Sequence, residues 1–406
     1  MNIGVVGYIN PCEFSEYLPE CDVFEDNISA TAVNTLVKEF LRQGHNVCVF
    51  SACSRGKSEY HFIGRHLQIH MVGIEKPIKF TSFFVQFYMT YRMKKLIKPH
   101  INKLDVLHAH WTYFYALAAK SFSRQKPVFC TVRDWAPYIY STRKGLEAKF
   151  GWWINLQVFK MVMNSKAVHF IANSDYTLNS IKTAYPEKES ILIYNPVDSR
   201  FILDDRIYEK REPIFITISQ SIDDSRKNII TLVKAFKDYQ LERKDARLII
   251  VGGYSQNNPI IDYINRNDIH NVELTGNLTH DDVISKIDQS TCLVHPAFEE
   301  TFGNILIEAM ARRIPCIGGC KSGGVPIVLG DGKYGLVCDI SDHEAILVAM
   351  KKITNNRYVD DLVNNATEML REKFSSDAIC KKHIELYNKY LKHKNLFYDR
   401  AAQIYS

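Results

Sequence analysis

Short apolar runs alternate with amphipathic helical stretches along this chain. The alternation begins at Asn2 and starts afresh after Arg211. NIGVVGYI, from Asn2 to Ile9, reads as a strand. Ala30, Val33, Leu36, Val37, Phe40 and Leu41 then recur at the spacing of one helix face, which predicts a helix over 29–43. Gly44 ends it, and NVCVFSA starts the next strand. DVLHAHW, PVFCTV and AVHFIANS continue the pattern. Such alternation predicts a doubly wound parallel sheet.

After Arg211 the same grammar returns. PIFITIS, ARLIIVGG, VELTGN, TCLVHPA, IPCIGG and YGLVCDI read as strands, with NIITLVKAFKDY and the stretch after Phe302 as helices. A polar, charge-mixed connector spans 195–212. The chain therefore divides into an N-terminal domain over 1–205 and a C-terminal domain over 206–385. A last segment, 386–406, either packs back on the first half or frays. The 406 residues are enough for two hydrophobic cores. Two such domains facing each other leave a cleft at the carboxyl ends of both sheets, where ligands bind.

A formal charge of +6 is too small to imply nucleic-acid binding and suits anionic small ligands or an anionic membrane surface. The start, MNIGVVGYI, lacks the basic region of a secretory signal, and no apolar run reaches the roughly 18 residues of a membrane span. The expected location is the cytoplasm. Ten scattered cysteines form neither a zinc spacing nor a CxxC motif and read as reduced core thiols. No metal site is expected.

EETFGNILIEAMA, Glu299 to Ala311, carries the chemistry most open to interpretation. Glu300 lies in a strand–helix loop, and Glu308 lies about two turns into a helix expected to start near Phe302. Their Cα atoms are then roughly 10 Å or more apart. Paired glycosidase carboxyls work at roughly 5 to 9.5 Å, so a hydrolytic pair does not fit. Two readings remain: solvated acids, or acceptors for different parts of one long ligand. Glu299 reads as solvated. Gly303, Gly252-Gly253 and Ser322-Gly323-Gly324 each follow a predicted strand, where backbone amides can approach an anion. Gly4 to Gly7 do not form GxGxxG, which argues against a dinucleotide oxidoreductase.

Several segments together resemble the retaining glycosyltransferases of family 4, which have the GT-B fold. The match rests on the E-x7-E motif from Glu300 to Glu308, with IPCIGGCKSGGVP and DGKYGLV after it, and on IYNPVD, RKNIITLVKAF, RLIIVGG and VELTGNL. It is close over 213–392 and loose before that. The resemblance implies an N-terminal acceptor domain and a C-terminal nucleotide-sugar domain, each Rossmann-like. It further implies that Glu300 holds sugar hydroxyls and Glu308 the ribose. The amides of Phe302, Gly303 and Asn304 contact sugar and diphosphate, and Lys227 neutralises the diphosphate. Gly252, Gly253, Asn277 and Leu278 border the nucleotide. No metal or other cofactor is implied. The donor it implies is a UDP- or GDP-sugar, and the acceptor it implies is a glycan or a polyprenyl-diphosphate-linked chain of surface polysaccharide, lipopolysaccharide included.

The departures are specific. Ser219-Gln220-Ser221 stands where the family often has a glycine–arginine pair, and Arg226 beside Lys227 is the candidate substitute. Ile327 replaces a glutamate. Arg133-Asp134 replaces a histidine–aspartate pair, so Arg133 either assists the diphosphate or a charged acceptor, or forms a structural salt bridge. His108 and His110 share one strand face: a buried, satisfied pair, or with His110 lining the acceptor side. Arg133 to Gly145 mixes aromatic and basic residues in an expected loop, with Asp134 and Trp135 as acceptor contacts or an ordinary surface. From Lys76 to Lys103 there are seven basic residues and no acidic one. Residues 83–97 are then an interfacial helix on the inner face of the membrane, or an internal helix with a basic end. The rival to an enzyme is an inactive GT-B scaffold acting as a membrane-associated partner.

Overall fold

The computed structural model describes residues 1–18, 30–54, 56, 59–74, 82–203, 212–354 and 359–404, without the side chains of 82–84, 200 and 393–404. Asn27-Ile28, which stand where the resemblance implies a glycine pair near the first helix, and part of the 195–212 connector lie outside the described residues. The chain forms two compact units: Met1–Pro196 with Ser376–Ser406, and Val197–Ser375.

Unit 1 is built on an eight-stranded sheet. Its strands are β1 (Asn2–Val6), β2 (Asn46–Cys53), β3 (Glu59–Ile63), β4 (Leu67–Gly73), β5 (Val106–His110), β6 (Val128–Val132), β7 (His169–Ala172) and β8 (Ser190–Leu192), in the order β3-β4-β2-β1-β5-β6-β7-β8. All neighbours are parallel except β3 and β4. Those two are joined by residues 64–66 alone, and a parallel connection needs a crossover of about a dozen residues. The helix expected at 29–43 spans Thr31–Arg42, and Gly44 at φ +79° closes it. Its Val33, Leu36, Val37 and Phe40 join a buried cluster on one sheet face, and a second cluster covers the other face.

The last helix, Ser376–Ile404, contributes Ile379, Cys380, Leu386 and Tyr387 to the first of these clusters. Ser376 Oγ donates to buried Glu39 at 3.0 Å. Unit 1 thus takes back the chain from Ser376, where 386 was expected, and it ends its first pass at Pro196, where 205 was expected.

Unit 2 has six parallel strands: β9 (Ile214–Ser221), β10 (Arg247–Gly253), β11 (Val272–Gly276), β12 (Cys292–His295), β13 (Cys316–Gly319) and β14 (Leu336–Cys338), in the order β11-β10-β9-β12-β13-β14. One core of Phe215, Leu232, Phe236, Leu248 and Met350 with their neighbours fills it. In each sheet the strand order reverses once, between β1 and β5 in unit 1 and between β9 and β12 in unit 2. Such switch points leave a crevice at the strands' carboxyl ends, where open α/β sheets bind ligands.

Candidate active site

In unit 2 the residues singled out by sequence gather at the β9/β12 switch point. After β9 the chain turns through a short helical turn, Ser225–Lys227, capped by Asp224. The Arg226 amide donates to Asp224 Oδ1 at 3.1 Å, and the Arg226 guanidinium donates to Asp224 Oδ2 at 2.6 Å. The guanidinium is therefore held by its own turn. Asn228 follows in the left-handed region, at φ +52°, which a short polar side chain tolerates. Its Nδ2 donates to the Ile340 carbonyl at 2.7 Å, and its Oδ1 accepts from Thr231 at 2.7 Å. These bonds aim Lys227 at the end of β12, where Nζ pairs with Glu300 Oε1. His295 Nε2, at the tip of β12, lies 3.5 Å from the same oxygen.

The loop behind Glu300 is equally constrained. The Phe298 amide donates to the Arg226 carbonyl at 2.9 Å, and the Gly324 amide donates to the Glu300 carbonyl at 2.8 Å. A Cβ on Gly324 would sit 2.5 Å from the Thr301 carbonyl oxygen, so the two loops meet backbone to backbone. Gly303, at φ +92°, turns the chain into the helix Asn304–Ala311. That helix begins two residues later than expected, so Glu308 is its fifth residue, little more than one turn in. Phe302 packs edge-on against Phe374 at 5.3 Å, leaving only its backbone for a ligand.

Burial acts to raise the Glu300 carboxyl, but the Lys227 ammonium and the His295 contact outweigh it and hold the group well below the usual carboxylate range. Burial acts to lower Lys227, and the Glu300 charge outweighs it and raises the ammonium. Both are charged at neutral pH. Glu308 is buried at 8% exposure, which removes the solvated reading for it. Glu299 is equally buried, against the expectation of a solvated acid, and its charge acts on Arg226.

The remaining donor-side residues border the same sheet. Gly252 has φ +147°, and a Cβ there would lie 2.3 Å from the Ser219 carbonyl oxygen. Gly253 stacks on the Asn277 amide, 3.0 Å from a built Cβ. Asn277 is exposed and Leu278 half-buried.

Unit 1 builds its cluster beyond β1, β5 and β6. Arg133 donates from Nε to His110 Nδ1 at 3.1 Å and from Nη1 to Asn195 Oδ1 at 2.8 Å. Its Cζ lies 5.6 Å from the Trp111 ring centroid, within cation–π range. Burial lowers the guanidinium to about 10, against the pull of Asp134, so Arg133 remains a cation. Burial first, then His108 and Arg133, push His110 well below its ordinary value. Because His110 Nδ1 faces a permanent donor, its proton is assigned to Nε2, which is buried with no hydrogen-bond partner among the described residues. Trp111 has φ +67°, a conformation bulky residues rarely adopt and one concentrated at functional sites.

His108 lies 2.7 Å from Thr131 Oγ1 and accepts from or donates to the Tyr387 hydroxyl at 2.6 Å, so it is the satisfied core member of the pair. Trp135 does not offer an aromatic platform: it is 9% exposed and packs on Phe159 at 5.3 Å. The loop expected from Arg133 to Gly145 is largely a helix, Ala136–Thr142, started by Pro137. His295, Trp111 and Asn195 were not singled out as site residues. Each stands at a strand end or in the NPVD stretch, and only the tertiary pairing reveals its neighbour.

Helix Ser82–Ile97 exists, but its face divides differently from the expectation. Met89, Met93, Leu96 and Ile97 are buried in unit 1, while Phe87, Tyr88 and Tyr91 are exposed beside exposed Lys94, Lys95 and Lys98. A second helix, Leu146–Met163, exposes Leu146 together with the stacked rings of Phe150 and Trp153. No helix among the described residues is long and apolar enough to cross a membrane.

Comparisons with known proteins bear on both units. The model of the Glycosyltransferase Family 4 domain matches residues 29–201, and that of Glycosyl transferases group 1 matches 202–372. The chain is 23% identical to N-acetyl-alpha-D-glucosaminyl L-malate synthase of Bacillus anthracis, over 81% of this chain and 88% of that protein. It is 28% identical to the capsular polysaccharide biosynthesis glycosyltransferase CapM of Staphylococcus aureus, over 41% of this chain and 44% of that protein. The fold resembles Anabaena HepE, crystallised with UDP and glucose, with a TM-score of 0.67 and 14% identity over 95% of this chain and 99% of that one.

Proposed function

We propose, from the premise that the chain belongs to the family 4 glycosyltransferases and is a transferase with the GT-B fold, that it moves a hexosyl unit with retention from a nucleotide diphosphate sugar. The acceptor is a growing glycan or a polyprenyl-diphosphate-linked chain in surface polysaccharide synthesis. The observation that carries this reading is the Lys227–Glu300 pair, aimed by the Asp224 cap and left-handed Asn228 at the switch point of unit 2. HepE was crystallised with UDP and CapM acts in capsule biosynthesis, which supports a UDP-sugar donor and a polysaccharide product.

Before the donor binds, Lys227 and Glu300 neutralise each other. A diphosphate draws Lys227, and sugar hydroxyls replace the lysine on Glu300. The amides of Phe302, Gly303 and Asn304 border the sugar and diphosphate, and Glu308 accepts from the ribose. Asn277 and Leu278 frame the base, and the strand-end Gly252 and Gly253 let the backbone approach the nucleotide. Arg226, held by Asp224, braces the turn. As the C1–O bond to the diphosphate breaks, Lys227 meets the developing negative charge in a preorganised position. The acceptor oxygen bonds to C1 on the same face, and its proton passes to the departing phosphate oxygen. Lys227 serves where a divalent metal would otherwise stand, so the reaction proceeds in chelator.

Arg133, with His110 and Asp134, faces the acceptor or its phosphate as a buried cation. Exposed Phe87, Tyr88 and Tyr91 with Lys94, Lys95 and Lys98 suit an anionic bilayer at the cytoplasmic face.

A thermal-shift panel of UDP, GDP, ADP and CMP, each with and without magnesium, tests the donor site. UDP at about 100 times its Kd should add about 2.7 kcal/mol of stability, magnesium or not. No shift with any nucleotide contradicts the donor assignment. Flotation with anionic and neutral liposomes tests the membrane contact, and equal binding to both contradicts it.

A further inference from the structure

Away from both switch points, unit 1 gathers three potential metal ligands that the sequence keeps far apart. Cys48 lies on β2, His70 on β4, and His100 just after helix Ser82–Ile97. In the parallel β2–β4 register Phe50 stands opposite His70, so Cys48, two residues earlier on β2, shares its face. The helix packs over that face, and the turn after it delivers His100. One ligand atom from each of Cys48, His70 and His100 falls within 4.8 Å of the others. Tetrahedral zinc bonds of about 2.0–2.3 Å imply ligand separations of about 3.3–3.6 Å, so small side-chain rotations close the set.

A fourth residue orients the set. His61 stands opposite His70 on the β3–β4 hairpin, and their Nδ1 atoms are 2.8 Å apart. Two imidazole nitrogens at that distance share one proton. With that proton on His70 Nδ1, His61 accepts it and His70 Nε2 presents a lone pair. That arrangement is the usual outer support of a metal-ligating histidine. His70 is only 4% exposed, and its Nε2 is buried with no hydrogen-bond partner among the described residues. Ring packing alone, His70 against Phe50 at 5.8 Å and against His100 at 4.2 Å, leaves that nitrogen unsatisfied.

We propose that Cys48, His70 and His100 form a zinc site of unit 1, with His61 as the orienting partner and a fourth position open to water or a small ligand. One thiolate with two neutral imidazoles is a donor set that zinc favours. Zinc binds the thiolate, so the Cys48 proton leaves to solvent as the metal binds. The site joins β2, β4 and the basic helix, and its role is to fasten that helix to the sheet. It stands apart from the proposed transfer reaction, which needs no metal.

The test uses the full chain, stripped with a chelator and titrated with Co(II) as a spectroscopic probe. One equivalent per chain should give visible ligand-field bands and a near-ultraviolet thiolate-to-cobalt band, both lost on adding Zn(II). Cys48→Ser should abolish the thiolate band, and His100→Gln should weaken Co(II) binding at least tenfold. Zn(II) should raise the melting temperature of the wild type and not of His70→Gln. Should Cys48→Ser fail to fold, the partly exposed His100→Gln carries the test. No thiolate band in the wild type, or unchanged Co(II) binding in His100→Gln, overturns the proposal.

Discussion

The two units hold their buried cations differently. In unit 2 Lys227 meets a carboxylate directly, and the pair stays ionised because each charge stabilises the other. In unit 1 the buried Arg133 donates to a neutral imidazole and an amide, and the Asp134 charge acts on it as well. A paired cation is inert until a ligand competes for it. The same contrast extends to titration. Unit 2 depends on a carboxyl that stays charged, and unit 1 on imidazoles that stay neutral.

The largest effect should come from breaking the unit 2 pair. Lys227→Ala should lower the transfer rate about 10²- to 10³-fold, the usual loss on removing one preorganised electrostatic donor. Steady-state release of nucleotide diphosphate measures it. Glu300→Gln should also slow transfer without weakening UDP binding, since it removes a sugar contact and frees Lys227 for the diphosphate.

In unit 1, Arg133→Ala removes the guanidinium from His110 Nδ1 and Asn195 Oδ1, and should cost about 1–3 kcal/mol in urea unfolding. Arg133→Lys should recover little of it, because one ammonium cannot span both acceptors. Backbone strain provides a control inside unit 2. Gly252→Ala forces a side chain into φ +147° and against the Ser219 carbonyl, and should destabilise by about 1–3 kcal/mol. Ala at Gly44 meets no atom within 4 Å and bears only the cost of its positive φ, about 1 kcal/mol.

The pH dependence separates the units with a smaller slope. Burial lowers His70 to about 4 and His383 to about 3, and pushes His108 and His110 well below their ordinary value. In an unfolded chain these groups take up protons near pH 6.5, so below that pH the unfolded state binds more protons and stability falls. Each histidine contributes up to about 1.4 kcal/mol per pH unit, from about 6.5 down to its folded value. The depressed Glu300 carboxyl gives stability that is present above its unfolded value, near 4.3, and lost only as pH falls below it. Hydrogen exchange at pH 7 and pH 5 should therefore show unit 1 opening first. Equal loosening of both units, or unit 2 first, contradicts the contrast.

Much of unit 2 was readable because its signals are local. The helix face after Gly303, the strand-end glycines and the E-x7-E spacing each lie within one strand–turn–helix unit. What escaped was register and burial. Glu299 looks like a solvated loop acid until β12 and the Arg226 turn close over it. Trp135 looks like a platform until the helix carrying Phe159 packs on it. The antiparallel β3 came from a short connection whose meaning depends on where β4 pairs. The Cys48, His70 and His100 cluster left no spacing pattern at all, because its members come from separate elements.

The most direct test of the central claim follows the anomeric carbon. The chain, a UDP-hexose and a membrane-extract acceptor are watched by NMR, alongside Lys227→Ala. The account predicts a product with the donor's anomeric configuration, formed in the presence of chelator and reduced at least 100-fold in the variant. An inverted product, or undiminished transfer by Lys227→Ala, would contradict it.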